Sequence, residues 1–227
     1  MPALSVVVPV HNEAAFLPSA LPSLIEQIES VEPDAEILIV ENGSTDGTAD
    51  VARRLGGLAV RVLELEVADK GEALRRGFAL ATGEWVVSVD VDYFSADFFR
   101  AVLQSDADVV IGSKRDPASQ DRRPLLRRFA TAVFNAMLRI LLGSRVSDTH
   151  GMLGFRKWVL DAHAPITVSG TDLFDTELVL RAERAGAVIH EVPVVVSELR
   201  EARSGLLGRV PRTLRGLWRI RRALPPR

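Results

Sequence analysis

The sequence contains no cysteine among its 227 residues. Disulfide bonds, zinc–thiolate centres, iron–sulfur clusters and thiol nucleophiles are therefore excluded. It also has no run approaching the roughly 18 apolar residues that a membrane-spanning helix needs. The apolar stretch Leu4–Val10 is too short, and lacks the basic lead-in, for a signal peptide. No Gly-Xaa-Gly-Xaa-Xaa-Gly follows this stretch and no P-loop is present, which argues against a dehydrogenase and a P-loop nucleotide hydrolase.

The net charge of the chain is small, but its acidic and basic residues are unevenly distributed. The net charge is −2 and 47% of residues are hydrophobic, which favours a folded domain with a substantial core over a disordered chain. Residues 200–227 hold nine arginines and one acid, Glu201, so they carry +8 and leave −10 for the rest. We therefore expect one domain over 1–199 and a basic tail over 200–227 with an anionic partner.

Short apolar runs alternate with helical patterns in the first half of the chain. The runs predict strands at Leu4–Val10, Glu36–Val40, Val60–Leu65, Trp85–Val89 and Asp108–Ile111. Helices are predicted between them at 17–28, 46–55 and 71–82. We expect Pro22 to shift the start of the first helix or bend it, and Gly83 to be the C′ residue of the third. The alternation predicts an α/β fold: a mostly parallel sheet with helices on both faces and ligands beyond the carboxyl ends of its strands.

The second half of the chain has a different sequence pattern. A long apolar-rich helix is predicted over 124–142 and is expected to pack in the core, followed by a polar loop over 144–154. A helix over 173–185 and a strand over 188–196 come next. The tail predicts a basic amphipathic helix near 209–223, whose arginines and Trp218 suit an anionic membrane surface. Docking on the acidic body is the alternative, and no motif supports nucleic-acid binding.

Polar clusters follow three of the predicted strands. They are His11-Asn12-Glu13, Glu41 to Thr48, and Asp90-Val91-Asp92. In a parallel sheet these clusters would converge on one crevice, although the second is also ordinary turn and N-cap chemistry. Asp90 and Asp92 could share Mg²⁺ or Mn²⁺ through oxygen ligands, and the cation would neutralise a departing nucleoside diphosphate.

These motifs resemble those of a known family. Val6–Glu13, Val40–Thr48, Lys70–Gly77 and Asp90–Asp92 are similar, in this order, to the inverting family 2 glycosyltransferases of the GT-A (Rossmann-like) fold. The nearest resemblance is to the dolichol-phosphate (polyprenol-phosphate) mannosyltransferase-like branch. It rests on Asp108–Lys114, Ser147-Asp148 and Gly154–Arg156.

The resemblance implies a role for individual residues. The resemblance implies a donor half over about 1–115 that binds a nucleotide sugar, either a GDP- or a UDP-sugar. The residues that would form this site are Pro9, His11, Glu13, Val40, Asn42, Lys70 and Asp90. Asp90 and Asp92 would hold the metal. Lys114, Arg127 and Arg128 would be the basic residues that contact phosphate groups. The acceptor half would run over about 116–199.

Several positions depart from the branch pattern. Glu41-Asn42 stands in place of a pair of aspartates, which leaves Asn42 without a charge, and Phe94 stands in place of a glutamine after the second metal aspartate. Lys114 replaces an arginine, which loses bidentate phosphate geometry. The first two departures suggest an alternative, a catalytically degenerate nucleotide-sugar-binding protein.

The acceptor decides which further groups are needed. A polyprenyl phosphate is already an anion and needs cations, for which Arg127, Arg128, Arg200 and Arg203 are candidates. A glycan or small-molecule hydroxyl needs a general base, for which the candidates are Asp148, Asp175 and Glu177. The last two could instead complement a helix dipole. The leading hypothesis is transfer of a hexose to polyprenyl phosphate at the cytoplasmic face of the membrane, with the hydroxyl acceptor as its rival.

Overall fold

A seven-stranded sheet forms the centre of the computed structural model, which describes residues 2–170, 173–196 and 206–225, with side chains from 211 onward in the last segment. The strands are β1 Leu4–Val10, β2 Glu36–Asn42, β3 Val60–Leu65, β4 Trp85–Ser88, β5 Val109–Ser113, β6 Gln120–Asp121, β7 Leu153–Arg156, β8 Ile189–Pro193 and β9 Val195–Val196. The sheet order is β3-β2-β1-β4-β7-β5-β8, and β6 pairs with β9. β7 is antiparallel to both of its neighbours, whereas the other pairs in the large sheet are parallel.

Helices cover both faces of this sheet. They are α1 Leu17–Glu29, α2 Thr48–Gly56, α3 Lys70–Leu80, α4 Ala96–Leu103, α5 Leu125–Met137, α6 Lys157–His163, α7 Phe174–Arg184 and α8 Leu206–Ala223. Alternate residues of β1 serve different cores, since Val6 and Val8 pack with α1 and Val7 packs with α3 and α7. This two-sided burial explains the continuous apolar runs of the strands. The predicted α/β class and mostly parallel sheet are confirmed.

The structure revises two local expectations. α1 begins at Leu17, with Pro18 in its first turn, so Pro22 lies inside the helix and does not shift its start. The alternative, that Pro22 bends the helix, stays a prediction. α3 ends at Leu80 and the next residue is already extended, so Gly83 is not its C′ residue. A Cβ on Gly83 would lie 2.6 Å from the backbone nitrogen of Ser5, so this glycine lets the chain pass close to β1.

The predicted helix over 124–142 is divided, and only its C-terminal residues Leu138 and Leu142 are buried in a core. α5 ends at Met137 and a π-helical turn, Leu138–Leu142, continues it. No residue of α5 is buried, and Phe129 is 67% exposed. Apolar spacing along a helix indicates which residues share a face, but it does not show whether the rest of the protein covers that face.

α8 docks on the body of the protein. Leu217, Ile220 and Leu224 are buried against Leu138, Leu142, Leu173 and Leu180. The predicted tail helix is therefore confirmed, and this apolar face contacts protein. The exposed residues of α8 include Leu214 and Trp218. The proposed domain boundary and Arg200 and Arg203 lie outside the described residues. Among the described residues, no helix has both the length and the apolar character needed to cross a membrane.

Candidate active site

The loops after β1 and β2 are joined by hydrogen bonds. The Nδ1 atom of His11 lies 2.7 Å from the carbonyl oxygen of Asn42, and the ring N–H donates to it. The backbone of Asn12 adopts the left-handed conformation, with φ of 53°. Its N–H donates to Ser44 Oγ at 2.9 Å, and its Oδ1 accepts from the Thr45 N–H at 2.9 Å. Two of the three predicted polar clusters therefore form one wall.

Asn42 connects this wall to the start of α3. Its Oδ1 accepts a hydrogen bond from the Asp69 N–H at 2.7 Å. Glu13 and Asn42 are both buried, and the Glu13 N–H donates to Thr48 Oγ1 at 2.8 Å. The cluster from Glu41 to Thr48 also forms a local turn, as its alternative interpretation predicts, because Asp46 accepts a hydrogen bond from the Thr48 N–H.

Pro9 and Val40 are register partners in β1 and β2. Pro9 is half-buried, whereas the side chain of Val40 is fully buried and packs in the core beneath α3. Of these two residues, only Pro9 has exposed surface to offer a ligand. The nucleotide-binding role assigned to both by resemblance stays a prediction.

Lys70 and Asp90 form the central ion pair. The Lys70 Nζ atom lies 2.6 Å from Asp90 Oδ1. Asp69 caps α3 by accepting the N–H of Gly71 at 2.8 Å, which fixes the direction in which the helix starts. Partial burial opposes both charges, but the attraction between them dominates, so the pKa of Lys70 is raised and the pKa of Asp90 is lowered. The pair is therefore ionised at neutral pH.

Asp90 and Asp92 lie just beyond the end of β4, as predicted. Within residues 2–170, 173–196 and 206–225, no group of three or more histidine, aspartate or glutamate side chains is placed to hold a metal ion. Two carboxylates fit a hard cation such as Mg²⁺ that takes the rest of its shell from substrate and water. The residues present are compatible with such an ion, though not with a closed metal cage.

Lys114 and Asp148 form a second ion pair, and this one is closed to solvent. Their side chains are 8% and 2% exposed, and Lys114 Nζ lies 2.9 Å from Asp148 Oδ2. Asp148 also accepts three backbone N–H groups, from Lys114, Thr149 and His150. Lys114 Nζ donates in addition to the carbonyl oxygen of His150. Asp148 is thus fully engaged in holding its own loop.

The two acids in the first turn of α7 differ in their surroundings. Glu177 is fully buried and accepts from the N–H groups of Val168 and Ser169 and from Arg181. Asp175 is also buried, but its Oδ1 has no hydrogen-bond partner among the described residues. Burial raises the pKa of Asp175, against the opposing effect of the nearby Lys70 charge. Asp175 therefore lies close to the central ion pair with a free carboxylate oxygen.

The basic residues predicted to bind phosphate differ in their surroundings. Arg127 and Arg128 lie in the first turn of α5, where Arg127 is half-buried and Arg128 is exposed. Lys114 is paired as described above. Arg203 lies outside the described residues. Their phosphate-binding roles stay predictions.

Four other arginines lie in notable surroundings, although no recognisable sequence motif marks them. Arg123 is mostly buried beside Asp121, 2.7 Å away; its hydrogen bond to Asp121 raises its pKa, and the charge of Asp148 adds to this effect. The close Asp-Xaa-Arg spacing is its one sequence signal. The other three are α8 arginines that line a cavity of about 290 Å³ together with Asp69, Ser169, Gly170 and Leu173; they are Arg212, Arg215 and Arg219.

A mostly parallel sheet with an Asp-Xaa-Asp pair and amide-rich loops at its strand ends is a GT-A fold. Residues 5–162 match the model of glycosyl transferase family 2. The chain therefore belongs to glycosyl transferase family 2, and the predicted family is confirmed.

Two curated relatives agree with the predicted branch. The glycosyltransferase AglD of Haloferax volcanii is 30% identical over 84% of this chain and 32% of its own length. The undecaprenyl-phosphate 4-deoxy-4-formamido-L-arabinose transferase of an Enterobacter species is 30% identical over 70% of this chain and 50% of its own length. The chain thus spans about a third of the length of the first relative and half of the length of the second.

A solved structure confirms the fold. Glucosyl-3-phosphoglycerate synthase from Mycobacterium tuberculosis, crystallised with Mn²⁺, uridine diphosphate and glucosyl-3-phosphoglycerate, superimposes with a TM-score of 0.72 at 23% identity. The match covers 99% of this chain and 81% of the synthase. The predicted GT-A fold is therefore confirmed over nearly the whole chain.

Proposed function

We propose that this protein is an inverting, divalent-metal-dependent glycosyltransferase that moves a hexose from a nucleoside-diphosphate sugar to a polyprenyl phosphate. The observation that carries the proposal is the group formed by Asp90, Asp92 and Lys70 at the end of β4, beside the joined loops of His11 and Asn42. This group occurs in a chain of family 2. Mn²⁺ and uridine diphosphate accompany the structural neighbour, which supports a similar donor here.

The chain's residues account for the departure of the leaving group. Asp90 and Asp92 would hold Mg²⁺ or Mn²⁺, which neutralises charge on the donor diphosphate when bound. Lys70 keeps Asp90 ionised and oriented through their 2.6 Å contact. An acceptor phosphate oxygen attacks the anomeric carbon as the bond to the nucleoside diphosphate breaks, with inversion. Both acceptor and leaving group are anions, so this displacement requires no proton transfer.

An uncovered apolar face favours a lipid acceptor. The large exposed side chains of α5 and its π-helical turn are Leu125, Leu126, Phe129, Val133, Ile140 and Leu141. Arg128 is exposed on the same helix. Exposed apolar side chains accompanied by cations suit the surface of an anionic bilayer. The name of the Enterobacter relative, an undecaprenyl-phosphate transferase, also supports this acceptor class. The cytoplasmic face stays a prediction.

The primary test is transfer of a labelled sugar by the purified protein. GDP- and UDP-sugars are offered with polyprenyl phosphate, with Mn²⁺ and with a chelator. We expect the chelator to abolish transfer and Asp92→Asn to lower it by about 100-fold. Asp97→Asn, an exposed carboxylate of α4, is the matched control and is expected to be neutral. Transfer that survives both the chelator and Asp92→Asn would contradict metal dependence.

A hydroxyl acceptor is the second candidate, and Asp175 is the observation in its favour. Its unpartnered carboxylate oxygen could receive a proton from a hydroxyl group. Asp175→Asn should abolish transfer to a hydroxyl acceptor, whereas transfer to a phosphate acceptor should survive. Donor binding without turnover on any acceptor would support the catalytically degenerate alternative.

Membrane contact is tested with vesicles. We expect the protein to sediment with vesicles of phosphatidylglycerol and phosphatidylcholine, and less so in high salt. Replacing Phe129 and Ile140 by serine should weaken this binding. Leu58→Ser removes an even more exposed apolar side chain from the turn after α2 and is the control. Equal sedimentation of all three proteins would contradict the proposed surface.

A further inference from the structure

The cavity beside α8 is built from one helix face and two loops. Arg212, Arg215 and Arg219 follow one another at helical spacing and all line it. Among the described residues of the lining Asp69 is the one acid, and its Oδ1 accepts the hydrogen bonds that cap α3. The lining therefore has an excess of positive charge, held on planar guanidinium groups that match the geometry of phosphate oxygens.

A second observation at this cavity points to a ligand. Ser169 lines the cavity and is 5% exposed, and its Oγ atom has no hydrogen-bond partner among the described residues. A buried hydroxyl group without a partner is costly, and such a group is commonly satisfied by a ligand or water. The neighbouring N–H of Ser169 is already bound to Glu177, which fixes the loop that presents the hydroxyl group.

The position of the cavity assigns it to the acceptor side. Asp69 directly precedes Lys70, which contacts Asp90, so the cavity adjoins the proposed donor site. All its other lining residues come from beyond residue 116, in the predicted acceptor half and the tail. Leu214 and Trp218 are exposed on the same helix, next to the lining arginines. A charged cavity beside exposed apolar side chains suits a phosphate group attached to a hydrocarbon.

We propose that Arg212, Arg215, Arg219 and Ser169 bind the phosphomonoester group of the lipid acceptor. This assignment rests on the proposed function, because it names the site for the acceptor of that reaction. The arginines would position the phosphate beside the donor and neutralise its charge. The docking of α8 on the body, through Leu217 and Ile220, would hold these arginines in place.

The test measures binding directly, without turnover. Geranyl phosphate, geraniol and inorganic phosphate are titrated calorimetrically into the full chain and into Arg215→Gln, Arg219→Gln and Arg221→Gln. Arg221 lies on α8 and is exposed but does not line the cavity, so it is the matched control. We expect geranyl phosphate to bind and geraniol not to bind. Arg215→Gln and Arg219→Gln should each weaken geranyl phosphate binding by about tenfold or more, and Arg221→Gln should match the wild type.

Two comparisons fix the identity of the ligand. UDP- and GDP-sugars with Mn²⁺ should bind all variants equally, and an equal loss of donor affinity in Arg215→Gln and Arg219→Gln would overturn the acceptor assignment. Inorganic phosphate should bind more weakly than geranyl phosphate, and equal affinity would overturn the lipid part of the proposal. Wild-type affinity for geranyl phosphate in both variants would refute the site itself.

The outcome is separable from that of the proposed function. Absence of sugar transfer, with the arginine effect on geranyl phosphate binding intact, would refute the reaction and leave the cavity assignment standing. Sugar transfer to polyprenyl phosphate, with no change in KM for the acceptor in Arg215→Gln and Arg219→Gln, would refute the cavity and leave the reaction standing.

Discussion

The substitution Asp148→Asn distinguishes between two roles of Asp148, a structural counter-ion and a general base. The wild-type carboxylate is buried, lies 2.9 Å from Lys114 Nζ and accepts three backbone N–H groups. Asparagine has one acceptor oxygen and no charge, so the substitution leaves a mostly buried ammonium group without its nearest counter-ion. Removing one partner of a buried pair costs about 3–5 kcal/mol. For a domain of this size the melting temperature should fall by roughly 6–20 °C.

Urea denaturation, with the midpoint and the slope measured together, is the assay. A double-mutant cycle with Lys114→Met identifies the cause, because removing both charges should be less destabilising than Asp148→Asn alone. Asp97→Asn, which breaks an exposed pair with Arg100, should stay within about 0.5 kcal/mol of the wild type. Asp148→Asn with wild-type stability and abolished transfer to a hydroxyl acceptor would refute this reasoning and identify Asp148 as a base.

Three further predictions concern stability. Gly83→Ala should destabilise the protein by about 1–3 kcal/mol, because the added Cβ meets the Ser5 backbone at 2.6 Å; an unchanged urea midpoint would contradict this. Burial raises the pKa of Glu36, but hydrogen bonds from Ser5, Thr82 and Arg61 outweigh it and lower the pKa. Its contribution is therefore present above the ordinary carboxyl pKa and lost as pH falls through the lower folded value, so Glu36→Gln should flatten the acid limb of the stability profile. Leu217→Ala should cost about 2–5 kcal/mol and raise hydrogen exchange in α8; unchanged exchange would show that α8 is anchored elsewhere.

The strands and the strand-end clusters were predictable from sequence because their signals are local. A strand buried on both faces needs a continuous apolar run, and β1 and β2 provide one each. The parallel connection then brings the following loops to the same edge of the sheet, which placed Asn12 against Ser44 and Lys70 against Asp90. No long-range information beyond the topology was required.

The parts that could not be predicted depend on long-range packing. β7 has four residues with a glycine among them, and it follows a polar loop, so its insertion between β4 and β5 has no local signal. The face of α5 that stays uncovered depends on what packs beside it. Asp148 and Asp175 look alike in sequence, yet one is held by four donors and the other has an unpartnered oxygen.

In sequence the basic tail is a single segment with a charge of +8. In the structure, packing places the side chains of its helix in different surroundings. With 3.6 residues per turn, α8 directs Leu217 and Ile220 toward the body and Arg212, Arg215 and Arg219 toward the cavity, while Trp218 stays exposed. Binding to anionic vesicles and binding to a lipid phosphate should therefore respond to different substitutions. Arg221→Gln should weaken vesicle binding but not geranyl phosphate binding, and Arg215→Gln should affect geranyl phosphate more strongly. If both substitutions changed the two affinities by the same factor, the arginines of α8 would act as one undivided charge.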